Sequence, residues 1–200
     1  MNHFNHYRGS EVHDVEFELS TEQFSLMGAV NLQQGHSLDL TLETSVLLPE
    51  PAGESWFAVQ AEALSSKFVR ISPGTYAFSG QIQEAELVKE DGQEIGFLLV
   101  HCENVPLRVI VGPDDEGRLP WGTWETRYLT GISRIFGIVE DNFSTSIGRT
   151  IGATVWQISR LILNPGDPLF GQWHESADLP LSTYSHDKIF VMTRLHRQEI

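Results

Sequence analysis

Residues 75–102 read TYAFSGQIQEAELVKEDGQEIGFLLVHC. The first half alternates, with Tyr76, Phe78, Gly80 and Ile82 on one face, which is the period of a strand. Lys89-Glu90-Asp91-Gly92-Gln93 then sets Asp-Gly at the centre of a break, the strongest short-range signal for a hairpin. The return run Ile95–Cys102 is apolar on both faces, so it reads as a central strand covered on each side. Cys102, the single cysteine, lies inside that run. It excludes an intramolecular disulfide and reads as a buried, inert thiol.

The same alternation extends in both directions. Towards the N-terminus it marks strands over Val12–Leu19, Phe24–Leu32, Ser37–Leu48 and Trp56–Leu64, separated by Ser20–Gln23, Gln33–His36 and the PEPAGES stretch Pro49–Ser55. Ser20 followed by Gln23 also has the form of a helix capping box. The alternation of Phe24, Leu26 and Val30 nevertheless places that segment among the strands. Towards the C-terminus Val105, Leu107, Val109 and Val111 alternate, and Gly112–Gly122 forms an acidic loop. A long strand follows in which Trp124, Tyr128, Ile132, Phe136 and Ile138 share the inward face, with Gly131 and Gly137 as bends or bulges.

From Phe143 the period changes. Ile147, Ile151, Val155, Ile158, Leu161 and Ile162 fall at helical spacing, Ser144 can cap the start, and Asn164-Pro165-Gly166 ends the run. This predicts one amphipathic helix over about residues 144–163, and Lys188–His196 supplies a last strand. The fold expected is mainly β: an antiparallel meander of about eight strands closed into a barrel or folded as a sandwich, with that helix laid against it. Residues 1–10 read as a flexible tail and 11–200 as a single β-rich domain. The order of elements resembles that of lipocalin-like barrels in architecture alone, since neither Trp56 nor Trp121 stands near the first strand.

Charge and composition narrow the function. The formal net charge is −14, with 40% hydrophobic residues. A strongly acidic chain lacks the clustered cations that displace counterions, so nucleic acid and anionic membrane are disfavoured as partners. No apolar run approaches a membrane span or a signal peptide, from which a cytoplasmic location is expected. Up to residue 66 the chain carries Glu11, Asp14, Glu16, Glu18, Glu22, Asp39, Glu43, Glu50, Glu54 and Glu62 against Arg8 alone, whereas Arg118, Arg127, Arg134, Arg149 and Arg160 make residues 118–160 mildly basic.

Catalytic patterns are sparse. Gly-x-Ser-x-Gly, Walker-type and Gly-x-Gly-x-x-Gly loops are absent. His3, His6 and His13 cluster in the tail, and His174 and His186 each adjoin an acid, but none has ligand spacing on a rigid element, so no metal and no cofactor is expected. Glu16 with Glu18, and Glu84 with Glu86, share strand faces and read as solvated rows rather than as a general acid and base.

The leading expectation is therefore a non-enzymatic binding or assembly module that docks on another protein, with a homo-oligomer included. Arg118, Trp121, Arg127 and Arg134 are its candidate binding residues, because cations interleaved with aromatics suit docking. Two alternatives use the same residues differently. A carrier of an apolar small molecule would line its cavity with Tyr76, Phe78, Trp124, Tyr128 and Phe136. A single-strand nucleic-acid binder would use the Arg/aromatic stripe. An enzyme using His174 or His186 ranks last.

Overall fold

The computed structural model describes residues 14–29, 31–46, 56–90, 93–112, 127–139, 145–180 and 186–196. Among these the chain forms strands β1 (Asp14–Leu19), β2 (Ser37–Val46), β3 (Trp56–Gln60), β4 (Lys67–Ser72), β5 (Thr75–Glu90), β6 (Gln93–Cys102), β7 (Val105–Val111), β8 (Tyr128–Arg134), β9 (Phe136–Ile138), β10 (Ile151–Leu161), β11 (Trp173–Ser176) and β12 (Lys188–Leu195), with one helix, α1 (Thr21–Ala29). The protein is mainly β. The expected tail and the tip of the 112–122 loop lie outside the described residues.

The hairpin that opened the reading is present. β5 and β6 pair antiparallel from Gln81↔His101 to Glu90↔Gln93, and the expected Asp91-Gly92 turn between them lies outside the described residues. β4, β5, β6 and β7 are sequential antiparallel neighbours, a true meander. Apart from the antiparallel pair β10–β11, the remaining neighbours are not consecutive in the chain. β1 pairs with β12 at the far end of the chain, and the sheet is mixed because β2 runs parallel to β7 and β1 touches β9 in parallel at Glu18↔Phe136.

The pairing returns on itself. β2 lies against β10 at Ser37–Leu40, against β9 at Thr41–Glu43 and against β7 at Leu42–Val46. From β10 the ladder continues to β12, β1 and β9, and so back to β2. Enclosed side chains from many of these strands make one main core that includes Val15, Phe17, Leu42, Tyr76, Phe78, Val100, Leu129, Ile135, Val155, Ile158 and Val191. A smaller cluster of Phe97, Leu99 and Ile147 packs outside β6 under the segment 145–150.

Two segments exchange their expected identities. Phe24–Leu32, expected as a strand, contains most of α1. Ser20 caps it, with its Oγ accepting from the Gln23 N–H at 3.2 Å and its carbonyl from the Phe24 N–H at 2.8 Å. Gln23 is buried and its Oε1 accepts the Val139 N–H at 2.9 Å, pinning the helix to the end of β9. Residues 144–163, expected as the amphipathic helix, instead hold strand β10. Its buried positions are Ile151, Ala153, Val155 and Ile158, and its register against β12 slips between Val155 and Gln157. A bulge adds one residue to a strand. Inward positions two apart therefore become three apart across it, and Ile151, Val155, Ile158 and Ile162 acquire a 4-3-4 spacing that imitates a helix.

No helix among the described residues is long and apolar enough to cross a membrane.

Candidate docking surface

Of the four residues expected to bind, Arg118 and Trp121 lie outside the described residues. Arg127 is half-buried just before β8, and its carbonyl accepts the Ile82 N–H at 2.9 Å. Arg134 is not a free cation, because its Nη1 lies 3.0 Å from Glu18 Oε2. The arginine row is thus already partly engaged within the fold.

Glu18 belongs to a charged layer outside β1. Its inner neighbours Phe17 and Leu19 face the core, yet Glu16 and Glu18 are also only 5% exposed, which corrects their reading as a solvated face. The hairpin β4–β5 and strand β12 cover them. Arg70 Nη2 reaches Glu16 Oε2 at 2.6 Å, the Gly74 N–H donates to the same oxygen at 2.8 Å, and Lys188 Nζ reaches Glu18 Oε1 at 2.6 Å. Buried carboxylates need such partners, since an uncompensated charge out of water costs several kcal/mol.

The five residues expected to line a cavity separate. Tyr76 and Phe78 are 2% exposed and belong to the packed core. Tyr76 stacks on Phe68 with ring centroids 4.4 Å apart, its hydroxyl oxygen accepts the Glu16 N–H at 2.8 Å, and burial pushes its pKa up to about 12. Trp124 lies outside the described residues. Tyr128 and Phe136 are half-buried, while Leu129, Gly131, Ser133, Ile135 and Gly137 take the inward positions, so the expected face of this strand is reversed. Small residues face inward here because neighbours come close. A Cβ on Gly137 would overlap the Phe17 ring, and Ser133 Oγ lies 2.6 Å from Thr44 Oγ1.

A second layer covers β2, β7 and β6. Arg108 is 2% exposed, with Nε 2.6 Å from Glu43 Oε2 and its guanidinium beside the Phe97 ring. Residues 145–150 cross over it as a strap. Glu86 holds that strap by accepting from the Thr145 hydroxyl at 2.7 Å and the Ser146 N–H at 3.0 Å, and Glu84 pairs with Arg149. The Thr145 hydroxyl, joined by the Ser146 N–H, lowers the Glu86 pKa below the ordinary carboxylate range. Glu84 and Glu86 thus hold the strap from a strand face that stays partly exposed.

Among the described residues Val69, Ile71, Leu87 and Val139 are large apolar side chains left exposed on strands or just after one, and a denser exposed group stands on the turn that follows β10. Leu169 is 43% exposed, Phe170 54% and Trp173 47%, all within five residues, and Trp156 projects from the β10 bulge. The turn that carries them is held by its own backbone. Asp167 Oδ1 accepts the Leu169 N–H at 2.8 Å, the Asp167 carbonyl accepts the Phe170 N–H at 3.0 Å, and the Gly171 N–H donates to the Ile162 carbonyl at 2.7 Å. Gly171 sits at φ +79°, a region that side chains with a Cβ rarely adopt. Trp173 leans on Phe190, with ring centroids 5.4 Å apart, and opens the short strand β11, whose residues 173–175 are exposed.

The stretch between Asn164-Pro165-Gly166 and Lys188 is rich in Pro, Gly and Asp and has no strand or helix period. The signal was there in Leu169-Phe170 beside Trp173, three large apolar residues inside a turn-forming stretch where none is needed to fill a core.

Among the described residues no group of three His, Cys, Asp or Glu side chains is placed to hold a metal ion. No family, no curated protein and no solved structure matches this chain.

Proposed function

We propose that this chain is a non-enzymatic binding module that docks on another protein through the surface built from Leu169, Phe170 and Trp173. The observation that carries this reading is the hydrogen-bonded turn 164–172, which holds two large apolar side chains in solvent next to an exposed tryptophan. Rigid aromatic anchors lose little conformational freedom on binding, which is why tryptophan dominates the binding energy of protein interfaces. The engagement of Arg134 by Glu18 favours this apolar surface over the arginine row as the anchor. Tyr76 and Phe78 fill the interior, which favours docking over carriage of a ligand inside the fold. His174 and His186 are exposed, and among the described residues neither has the hydrogen-bonded partner of a catalytic base.

The test uses the chain as bait, with a Phe170→Ser/Trp173→Ser variant beside it. A stoichiometric partner held by the wild type and lost by the variant, at unchanged melting temperature, supports the reading. A variant that retains the partner overturns it.

A further inference from the structure

Between α1 and residues 178–180 lies a cleft of about 650 Å³, inside the roughly 300–1,000 Å³ range of small-molecule sites. Phe24, Leu32 and Leu179 line it; Leu32 is buried, and Phe24 and Leu179 pack on the main core. Polar groups come from Ser25, Asn31, Gln33 and Asp178.

The walls are fixed. The Gln34 N–H donates to the Ala177 carbonyl at 2.6 Å, the Leu179 N–H to the Leu32 carbonyl at 3.1 Å, and α1 is anchored through Gln23. A ligand would thus meet a preformed site.

Two features tell what fits. Gly28 lines the cleft from α1, and a Cβ placed on it would meet no atom within 4 Å. Glycine is among the poorest helix formers, and no packing neighbour demands it at this position. Its effect is to leave one wall bare. Asp178 brings a carboxylate to the cleft, and among the described lining residues none is lysine, arginine or histidine. An anionic ligand would meet only negative charge there, in a chain of net charge −14.

We propose that this cleft binds a small amphipathic amine, its apolar body against Phe24, Leu32 and Leu179 and its ammonium group at Asp178. This site is separate from the Leu169–Trp173 surface and does not rest on it.

The test compares 2-naphthylmethylamine, 2-naphthalenemethanol and 2-naphthoate, which share a ring and differ in charge, by amide chemical-shift titration of the full chain. The amine should shift amides of α1 and of residues 177–179 and bind about two- to fivefold tighter than the alcohol, the range of a solvent-exposed ion pair. The carboxylate should bind weakest. Asp178→Asn should bring the amine down to the alcohol. Gly28→Leu should abolish binding of both while melting no lower than wild type, since the site is open and leucine favours helix. The proposal fails if millimolar amine leaves these amides unmoved, if Gly28→Leu still binds it, or if the preference for the amine survives Asp178→Asn.

Discussion

Replacing Glu43 with Gln probes a buried ion pair on β2 and β7. Arg108 is 2% exposed and its Nε lies 2.6 Å from Glu43 Oε2, under the strap 145–150. Opposite charges about 4 Å apart attract by roughly 4 kcal/mol at an effective dielectric constant near 20. The gain in the native pair is largely offset by the desolvation of both groups. Removing one partner loses the attraction and keeps the desolvation of the other, which costs about 3–5 kcal/mol. Glu43→Gln should therefore destabilise by about 3–5 kcal/mol in urea melts. Arg108→Met should cost at least as much, since Arg108 Nη1 also reaches the Ile147 carbonyl at 3.4 Å. The double variant Glu43→Leu/Arg108→Met, with no charge left to compensate, should recover to within about 2 kcal/mol of wild type. Single losses below about 1 kcal/mol, or a double loss equal to the sum of the singles, would refute the reasoning.

Other outcomes follow from the same geometry. Ile158→Ala should cost about 2–4 kcal/mol in thermal melts, because Ile158 is 1% exposed in the main core, while Leu161→Ala at its half-buried position should cost less. Gly137→Ala should destabilise strongly and be relieved by Phe17→Leu, since the new Cβ meets the Phe17 ring; equal melts for Gly137→Ala with and without that change would speak against the contact. The Glu86 pKa is depressed in the folded state, so its contribution is present above the ordinary carboxylate pKa and is lost as pH falls through the lower folded value. Amide exchange at Ser146 should accordingly quicken at acid pH relative to other strap amides, and Glu86→Gln should make it fast throughout.

The legible part of the fold was the part in which one face is apolar and the other is not. Tyr76, Phe78 and Ile82 were readable as inward from alternation alone, and they are. Three features defeated the pattern, each for a physical reason. The bulge at Trp156 turned a two-residue period into a helical one, although Ile151, Thr154, Val155 and Ile158 are β-branched and favour strand. The helix Thr21–Ala29 announced itself through Ser20 and Gln23, but apolar alternation outweighed a two-residue cap. In β8 and β9 the expected face is reversed: Leu129 and Ile135 point inward together with Gly131, Ser133 and Gly137, and at Gly137 the Phe17 ring leaves no room for a side chain.

The charged layer was hidden for a different reason. Glu16 and Glu18 meet Arg70, Arg134 and Lys188 from strands 50 or more positions away in sequence, a proximity that no local pattern encodes. Lys67–Ser72 escaped notice as an edge strand with only Phe68 half-buried. The docking surface was legible only as composition, since exposure of Leu169, Phe170 and Trp173 depends on a turn whose hydrogen bonds involve Asp167 and Ile162.

A photo-reactive amino acid at position 170, in the chain expressed in its native cells, tests the docking surface most directly. The surface described here should give one discrete cross-linked protein adduct from position 170, absent when Trp173 is also changed to Ser and absent from the same amino acid placed at exposed Gln83. No adduct from position 170, or the same adducts from positions 170 and 83, would contradict it.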